Sequence, residues 1–421
     1  MLVLLAGFFS FTQHYGYSAE MGEHVFWLQG LTQVGLAAGS VIFAELVRDV
    51  YHVAGHYWTP LQKLHFLHHK AYRRDFTVTT KEAYCKAQLY NDVPESLVMI
   101  ACLLVFMALV KSYAVVIGIL YSMAFLVGAL ARSQGWILAT DLTHEPGALT
   151  EIPTNWRINR TYHWRHHFDE TNAYFAGHFT LVDKMIGTSL SLKGKTVAVT
   201  GASGTMGRSL MAELTSQGAK PIALTSSPEF SSETDIDTVQ WQVGQEEALR
   251  DRLQSVDILI LNHGTNVYGD RTPEAIQTSL EVNALSTWRL AELFFETVTG
   301  PTDRATKELW VNTSEAEVNP ALSPLYETSK RLIGELITLR RLDAPCLIRK
   351  VILGPFKSNL NPYGVMSPGW VAWAVVALAK RDVRNIIVTV NPLTYLVFPI
   401  QESLKTLYFR IFSHPPGKAK R

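Results

Sequence analysis

The chain has 421 residues, enough for two domains, and its formal net charge of +1 argues against a nucleic-acid partner. Its three cysteines, Cys85, Cys102 and Cys346, lie far apart, which argues against a disulfide framework or a cysteine-ligated zinc site and suits a reducing cytosol. Apolar residues make up 48% of the chain, and the long apolar runs are concentrated in its first third. We therefore expect a membrane half followed by a soluble half.

Three apolar runs predict helices that cross a membrane. Residues 25–47 form the first run, and residues 94–110 and 112–131 follow as a helical hairpin with a short joint. The segment between the first run and the hairpin is rich in Lys and Arg, so we expect it to face the cytoplasm. The apolar run 1–10 is too short to span a bilayer and lacks the basic flank of a signal peptide, so we interpret it as an interfacial or re-entrant piece.

Eight histidines fall into three groups with helical spacing, and both regions that carry them are expected on the cytoplasmic side. Residues at i, i+3 and i+4 share one face of a helix, so each group can aim its imidazoles at one point. Eight imidazoles are too many for one tetrahedral ion and suit two metals. The groups are His52 with His56, then His65, His68 and His69, and finally His163, His166 and His167.

Three other interpretations of the histidines remain open. They could be surface or capping residues, two of them could hold a haem, or they could form a hydrolytic zinc pair. Imidazole binds zinc, copper, iron and nickel alike, so the residue type alone does not identify the metal. Few carboxylates accompany the histidines, chiefly Asp49 and Asp169, whereas a hydrolytic zinc pair commonly includes bridging carboxylates.

These histidine motifs beside a membrane hairpin resemble the fatty acid hydroxylase/sterol desaturase superfamily of integral-membrane non-haem di-iron enzymes. The segment Asn172 to Thr188, NAYFAGHFTLVDKMIGT, resembles the family's closing segment, and the resemblance covers residues 20–190. It implies two iron ions held by the eight histidines, with His144 as a further ligand. Ala148 stands where some members have another histidine, and His178 is not expected to be a ligand.

The resemblance also implies chemistry. Such enzymes use O2 to hydroxylate or desaturate a lipid, here a fatty acyl chain, a sterol or other isoprenoid, or a carotenoid. The sequence shows no flavin or iron–sulfur motif, so an external ferredoxin or cytochrome-type electron donor is expected as a partner.

The second half begins with an apolar strand, a glycine turn and a helix, TVAVTGASGTMGRS. This context makes a glycine repeat typical of a dinucleotide site, where the backbone approaches a pyrophosphate at a helix N-terminus. Alternating strands and helices downstream predict an α/β Rossmann-type doubly wound parallel sheet after the helical membrane domain. The expected nucleotide-binding residues are Gly201, Ser203, Gly204, Met206, Gly207, Asn262 and Lys330, and the expected later strands are 221–225, 256–262, 309–314 and one that precedes 351–354.

Tyr326 and Lys330 form a Y-x-x-x-K motif at the start of a predicted helix and share one of its faces. A nearby ammonium lowers the pKa of a phenol, so the tyrosine can exchange a proton with a carbonyl oxygen. Together with the glycine turn, the motif resembles the short-chain dehydrogenase/reductase family over residues 194–390. The resemblance implies Tyr326 as general acid/base, Lys330 as its pKa partner and ribose ligand, Ser314 as the substrate-orienting hydroxyl and Asn283 as a structural and proton-relay residue.

Several departures from this family pattern leave the substrate geometry open. Thr313 rivals Ser314, His263 replaces the usual Ala in Asn-Ala-Gly, and the usual Pro-Gly is inverted at Gly354. The second predicted strand ends at Thr225 with no acidic residue that would repel a 2′-phosphate, which favours NADP(H) over NAD(H).

Residues 391–421 are apolar and basic, and we interpret them as a membrane-associated tail, with a docking helix preferred over a further span. The whole chain resembles bacterial proteins described as bifunctional sterol desaturase/short-chain dehydrogenase. We expect a bifunctional membrane oxidoreductase with both sites on the cytoplasmic side, in which O2-dependent lipid oxidation is coupled to NADP(H)-dependent alcohol or carbonyl chemistry. The alternatives are a di-iron hydroxylase with a non-catalytic nucleotide-sensing domain, and a zinc-dependent membrane hydrolase.

Overall fold

The computed structural model describes residues 19–228, 230 and 236–414. The chain forms two compact units, a helical unit built mainly from the residues up to Gly147 and a sheet unit built mainly from those after Val182, and the segment between is divided between them. The interpretation of residues 1–10 as an interfacial piece falls outside the described residues.

The helical unit contains three helices long and apolar enough to cross a membrane, at Trp27–Tyr57, Lys81–Val110 and Tyr113–Ser133. This confirms the three spans that the hydropathy predicts. The elements are α1 (Ala19–Tyr57), α2 (Thr59–Lys70), α3 (Lys81–Ala87) with a π-helical continuation at Gln88–Asp92, α4 (Val93–Val110), and α5 (Val116–Ser133) after a 3-10 turn at Tyr113–Val115.

Close packing and a left-handed residue set the geometry of these helices. α1 and α5 approach closely at Gly118, whose backbone N–H donates to Ser40 Oγ at 3.0 Å, and a Cβ on Gly118 would lie 2.7 Å from that oxygen. Lys111 adopts φ 51° and ends α4, which turns the chain back into α5. α1 is about 58 Å long at 1.5 Å per residue, longer than a bilayer's hydrocarbon core, so its last turns can carry polar groups.

Short elements follow the hairpin. α6 (Arg160–Phe168) carries the third histidine group, and α7 is Leu181–Ile186.

The sheet unit holds a seven-stranded parallel sheet of order β3-β2-β1-β4-β5-β6-β7, which confirms the predicted doubly wound architecture. Strands β3 and β7 were not among those that the sequence predicted. The strands are β1 (Thr196–Thr200), β2 (Lys220–Thr225), β3 (Asp237–Gln240), β4 (Ile258–Leu261), β5 (Glu308–Asn312), β6 (Leu347–Leu353) and β7 (Asn385–Val388).

Helices cover both faces of this sheet, and two separate apolar clusters lie against the strands. A π-helical segment, Glu281–Leu285, joins α10 to α11. The helices are α8 (Thr205–Ser216), α9 (Arg250–Gln254), α10 (Pro273–Leu280), α11 (Ser286–Glu296), α12 (Pro301–Thr306), α13 (Pro324–Arg340), α14 (Pro368–Ala379) and α15 (Pro392–Phe412), with 3-10 turns at Glu246–Leu249 and Glu315–Glu317.

Candidate functional site

The predicted metal-binding histidines come together in two groups. α1 supplies His52 and His56 from its last two turns, and α2 supplies the whole second trio. In every group the ligand atoms lie within 4.8 Å of one another. One group is His52, His56, His65, His69 and His166, and the other is His68, His144, His163 and His167.

His144, which lies outside the three sequence groups, is central to the second cluster. Its Nε2 lies 3.1 Å from His68 Nε2 and 3.0 Å from His163 Nε2, so three imidazole nitrogens converge on one point. Its Nδ1 donates to Asp141 Oδ1 at 3.0 Å. Asp141 therefore fixes both the tautomer and the direction of the ring, as a carboxylate does for a metal-binding histidine.

Two more histidines have their Nδ1 atoms committed to an oxygen acceptor. His65 Nδ1 donates to Asn91 Oδ1 at 2.9 Å, and His166 Nδ1 donates to Ala173 O at 2.7 Å. A neutral imidazole carries only one N–H, so the Nε2 atoms of both rings keep a lone pair. Burial lowers the pKa of His65 to about 4, which keeps that ring neutral at physiological pH. This donor set fits metal ions that accept imidazole nitrogen.

His178 lies apart from both groups. Its Nδ1 is 3.3 Å from Arg48 Nη2, and the same Arg48 forms a 2.7 Å ion pair with Glu45. His178 belongs to neither group, so the expectation that it is not a ligand stays a prediction, and the residue serves as a control.

In the sheet unit the glycine turn lies where the strand order reverses, at the carboxyl ends of β1 and β4. Gly201 adopts φ 62°, and a Cβ there would lie 2.9 Å from His263 Cα. A Cβ on Gly207 would overlap Gly201 O and approach Ala202 Cα to 2.7 Å. The turn therefore has no room for side chains at Gly201 and Gly207, and it leads directly into the N-terminus of α8. This arrangement is typical of a pyrophosphate-binding site. The residues present fit a dinucleotide.

Substituting Gly207 with alanine should weaken NADPH binding by at least about tenfold, because the backbone that approaches the pyrophosphate must shift. Gly269→Ala is the matched control, since a Cβ at Gly269 meets nothing within 4 Å. Fluorescence titration with NADPH measures both affinities. Equal losses in the two variants would contradict the role given to this turn.

The Tyr–Lys motif lies at the start of α13. Lys330 Nζ donates to Asn312 O at 3.2 Å and lies 5.8 Å from the centroid of the Tyr326 ring. Burial lowers the pKa of Lys330 to about 8. Burial raises the pKa of Tyr326, and a hydrogen bond with Ser314 opposes that rise. The side chains of Tyr326, Lys330 and Ser314 therefore lie together, as proton transfer through the tyrosine would require.

Asn283 lies in the π-helical segment and is fully buried. Its Oδ1 accepts from Thr265 N at 2.8 Å, and its Nδ2 donates to Thr265 O at 3.0 Å and to Ser329 Oγ at 3.0 Å. The amide thus fastens the loop after β4 to α13, close to Lys330. A π-bulge is often found at such functional positions.

The structure distinguishes the two rival hydroxyls. Ser314 lies near enough to Tyr326 to lower its pKa, and its Oγ accepts from Ala316 N at 3.2 Å, whereas Thr313 Oγ1 donates to Val351 O at 3.4 Å in the core of the sheet. Without the Ser314 hydrogen bond, the pKa of Tyr326 rises further, so its basic form appears only at higher pH.

We expect Ser314→Ala to lower turnover at pH 7 by about 10- to 100-fold and to move the acidic limb of the rate profile to higher pH. Thr313→Ser serves as the comparison and should keep the limb in place. A pH–rate series on both variants gives the result, and a shift in the Thr313 variant alone would reverse the assignment.

Sequence reasoning missed several residues that shape the two sites. Asp141, Asn91 and Ala173 hold histidine Nδ1 atoms, yet none belongs to a recognisable motif. His263 lies beside the glycine turn with Nδ1 2.9 Å from Thr200 Oγ1, and burial lowers its pKa to about 3, so it is neutral. The Asn-His-Gly sequence was the only signal for His263.

Comparisons with known proteins bear on both units. Residues 37–188 match the fatty acid hydroxylase family, and residues 197–328 match the NAD dependent epimerase/dehydratase family. These matches confirm the two resemblances that the motifs indicate. A curated relative, the monoglucosyldiacylglycerol epimerase of Synechocystis sp., is 54% identical over 406 residues, which are 92% of this chain and 98% of the relative.

Solved structures of short-chain dehydrogenases resemble the sheet unit. One from Burkholderia cenocepacia J2315, in complex with NADP, is 17% identical, covers 53% of this chain and 100% of its own, and gives a TM-score of 0.44. Another, from Leptospira borgpetersenii with bound NAD+, is 22% identical, with coverages of 48% and 92% and a TM-score of 0.42.

Proposed function

The chain belongs to the family of the Synechocystis monoglucosyldiacylglycerol epimerase, and from this we propose that it is a membrane enzyme that epimerises the sugar of a glycosyl diacylglycerol. The reaction takes place at the Tyr326 site of the sheet unit. The observation that carries the proposal is the group of half-buried Tyr326 with buried Ser314 and Lys330, beside a glycine turn that fits a dinucleotide.

Sugar epimerisation by this unit requires a ring carbon that bears a free hydroxyl. NAD(P)+ held by the glycine turn would supply reversible hydride transfer from that carbon and back to the opposite face of the same carbon. Tyr326 takes the hydroxyl proton during oxidation and gives it back during reduction, so the reaction consumes no net oxidant. Ser314 holds the oxygen, and the Lys330 ammonium favours the phenolate form of the tyrosine.

The anomeric carbon is excluded because it is bonded to the glycerol oxygen, and the carbon that closes the ring carries no free hydroxyl. Carbons 2, 3 and 4 remain as candidates, and from a glucosyl lipid they would give manno, allo and galacto products. The purified full chain incubated with monoglucosyldiacylglycerol should yield one of these three. A substrate deuterated at the reacting carbon should keep its label, because the same hydride returns. A product that exchanges this deuterium with solvent would contradict the proposal.

NADP(H) is the proposed dinucleotide. β2 ends at Thr225, whose Oγ1 donates to Ser203 Oγ at 3.0 Å, and the next two residues, Ser226 and Ser227, carry no acid that would repel a 2′-phosphate. The Arg208 guanidinium lies over the Phe230 ring at 4.6 Å, one turn into α8, where a cation can meet the extra phosphate. Tighter binding of NADPH than of NADH supports this choice, and the reverse order opposes it.

A second activity is proposed for the histidine clusters, carried by the converging Nε2 atoms of His68, His144 and His163. The nine predicted ligands would hold two iron ions, and such a pair would supply O2-dependent oxidation of a lipid C–H bond with electrons from an external one-electron donor. We propose a cytoplasmic position for both sites, which the Lys- and Arg-rich segment before the hairpin supports.

Epimerisation needs no O2, so the two activities can be separated. Anaerobic assay of the iron-loaded protein should leave epimerisation intact and abolish oxidation of the lipid. If lipid oxidation instead supplies the alcohol on which the Tyr326 site acts, the Tyr326→Phe protein should accumulate a hydroxylated lipid in air. An unchanged lipid profile would show that the sites are not coupled in sequence.

A further inference from the structure

The last helix of the sheet unit, α15, has a buried inner face and an exposed apolar face. One face is buried against the unit and consists of residues four apart, Thr394, Phe398 and Glu402. The other carries large apolar side chains that are more than half exposed. They recur at helical spacing along the whole helix and are Leu393, Leu396, Ile400, Leu404, Leu407 and Ile411. We call these six residues the outer stripe.

The inner face packs α15 on the sheet unit, and Tyr395 and Lys405 add hydrogen bonds to Ile387 O and Glu335 Oε1. Glu402 accepts from Lys350 Nζ at 3.0 Å and from Arg341 Nη1 at 3.2 Å. Lys350 Nζ also lies 5.0 Å from the centroid of the Phe398 ring. Packing of the domain therefore explains the inner face and leaves the outer stripe unexplained. A stripe of this size on a monomer marks an interaction surface.

Apart from Glu402, the charged residues on and after α15 are all basic. The only acidic residue from Pro392 to the end of the chain is Glu402, which is buried and paired. Lys405 and Arg410 lie on the helix, and the sequence ends with Lys418, Lys420 and Arg421. An exposed apolar stripe with basic residues and no exposed acid is typical of a helix in the interface of an anionic bilayer. Two copies packed through this face would bring their basic residues together.

The N-terminal end of α15 is tied to the catalytic loop. Asn319 Nδ2 donates to Thr394 Oγ1 at 2.8 Å, and Thr394 Oγ1 lies 3.3 Å from Glu315 Oε2. Glu315 directly follows Ser314, the residue hydrogen-bonded to Tyr326. A surface that holds α15 therefore lies close to the loop that orients the substrate hydroxyl.

We propose that the outer stripe of α15 lies in the surface of a bilayer containing anionic lipid and brings the Ser314 loop to glycolipid headgroups. The second part rests on the proposed epimerase function, whereas the lipid contact stands without it. The same chain carries three helices long and apolar enough to cross a membrane.

Spin labelling of the full chain in vesicles of phosphatidylcholine and phosphatidylglycerol tests the lipid contact. Nitroxides are placed singly at Leu396→Cys and Leu404→Cys in a chain whose own three cysteines are replaced, with exposed Ser255→Cys as the control. Relaxation by O2, which partitions into lipid, should exceed relaxation by a water-soluble nickel chelate at positions 396 and 404, and the order should be reversed at position 255. Chelate access at 396 and 404 equal to that at 255 would overturn the proposal, and so would spin–spin broadening that shows a second copy on the stripe.

A kinetic comparison tests the link to the substrate. Leu396→Glu with Leu404→Glu should lower epimerisation of vesicle-embedded glycolipid by at least about tenfold, because two side chains leave the interface. A short-chain glycolipid dissolved in water should be epimerised at the unaltered rate, which shows that the variant is folded. Equal losses on both substrates would overturn the link. If neither substrate is epimerised by the unaltered chain, the proposed function fails while the spin-label result stands.

Discussion

Replacement of Tyr326 by phenylalanine is expected to lower sugar epimerisation by about 10²- to 10⁴-fold, the usual contribution of a positioned acid/base. The variant loses a single oxygen atom. Ser314 lowers the pKa of the Tyr326 phenol, and Lys330 Nζ lies 5.8 Å from the centroid of its ring. Without that oxygen, no group of this unit can take the hydroxyl proton while the carbon is oxidised. Initial rates with monoglucosyldiacylglycerol measure the loss.

The Tyr326 result needs a control for folding and one for cofactor binding. Tyr113→Phe removes a hydroxyl from an exposed residue between two helices of the other unit, and should leave the rate unchanged. NADPH affinity of Tyr326→Phe should match that of the unaltered chain, because the glycine turn is untouched. If Tyr326→Phe retains the epimerisation rate, the reaction does not depend on Tyr326. The sheet unit would then bind nucleotide without catalysing epimerisation, as expected of a nucleotide-sensing domain.

The elements that the sequence predicted correctly are those with a strong local signal. The three spans follow from apolar length, and the helical placement of the histidine trios follows from their spacing. β1 and its turn follow from a β-branched run ending in glycine. In each case neighbours along the chain supply most of the information.

The elements that were missed depend on contacts between distant parts of the chain. β3 is a short edge strand with mostly exposed residues, so it lacks an apolar pattern. The two π-helical segments place Asn91 and Asn283 toward the histidines and the Tyr–Lys motif, and no local propensity marks such bulges. α14 has a uniformly apolar sequence, yet its buried side belongs to the core of the sheet unit. Hydropathy alone cannot separate such a core helix from a membrane-associated one.

The second large effect is expected in metal content. His163→Ala should lower bound iron from about two ions to about one per chain, because the three converging nitrogens of its cluster lose one member. Asp141→Asn should lower iron affinity by about 10- to 100-fold, since the amide cannot hold the His144 tautomer as the carboxylate does. Elemental analysis of anaerobically purified protein gives both numbers.

His178→Ala is the matched control for these variants. His178 contacts Arg48 rather than either cluster, so its loss should leave the iron content at the level of the unaltered chain. Equal losses of iron in the His178 and His163 variants would mean that general destabilisation, and not ligation, accounts for the change.

The identity of the metal decides between the two chemistries open to the clusters. Imidazole binds zinc as readily as iron, but both groups consist of histidines alone, without the bridging carboxylates common in hydrolytic zinc pairs. We therefore expect iron in the purified protein and O2 consumption that depends on His163. Zinc in place of iron, with lipid turnover that continues without O2, would contradict the oxidative proposal and leave the epimerase proposal standing, because Tyr326 and its partners need no metal.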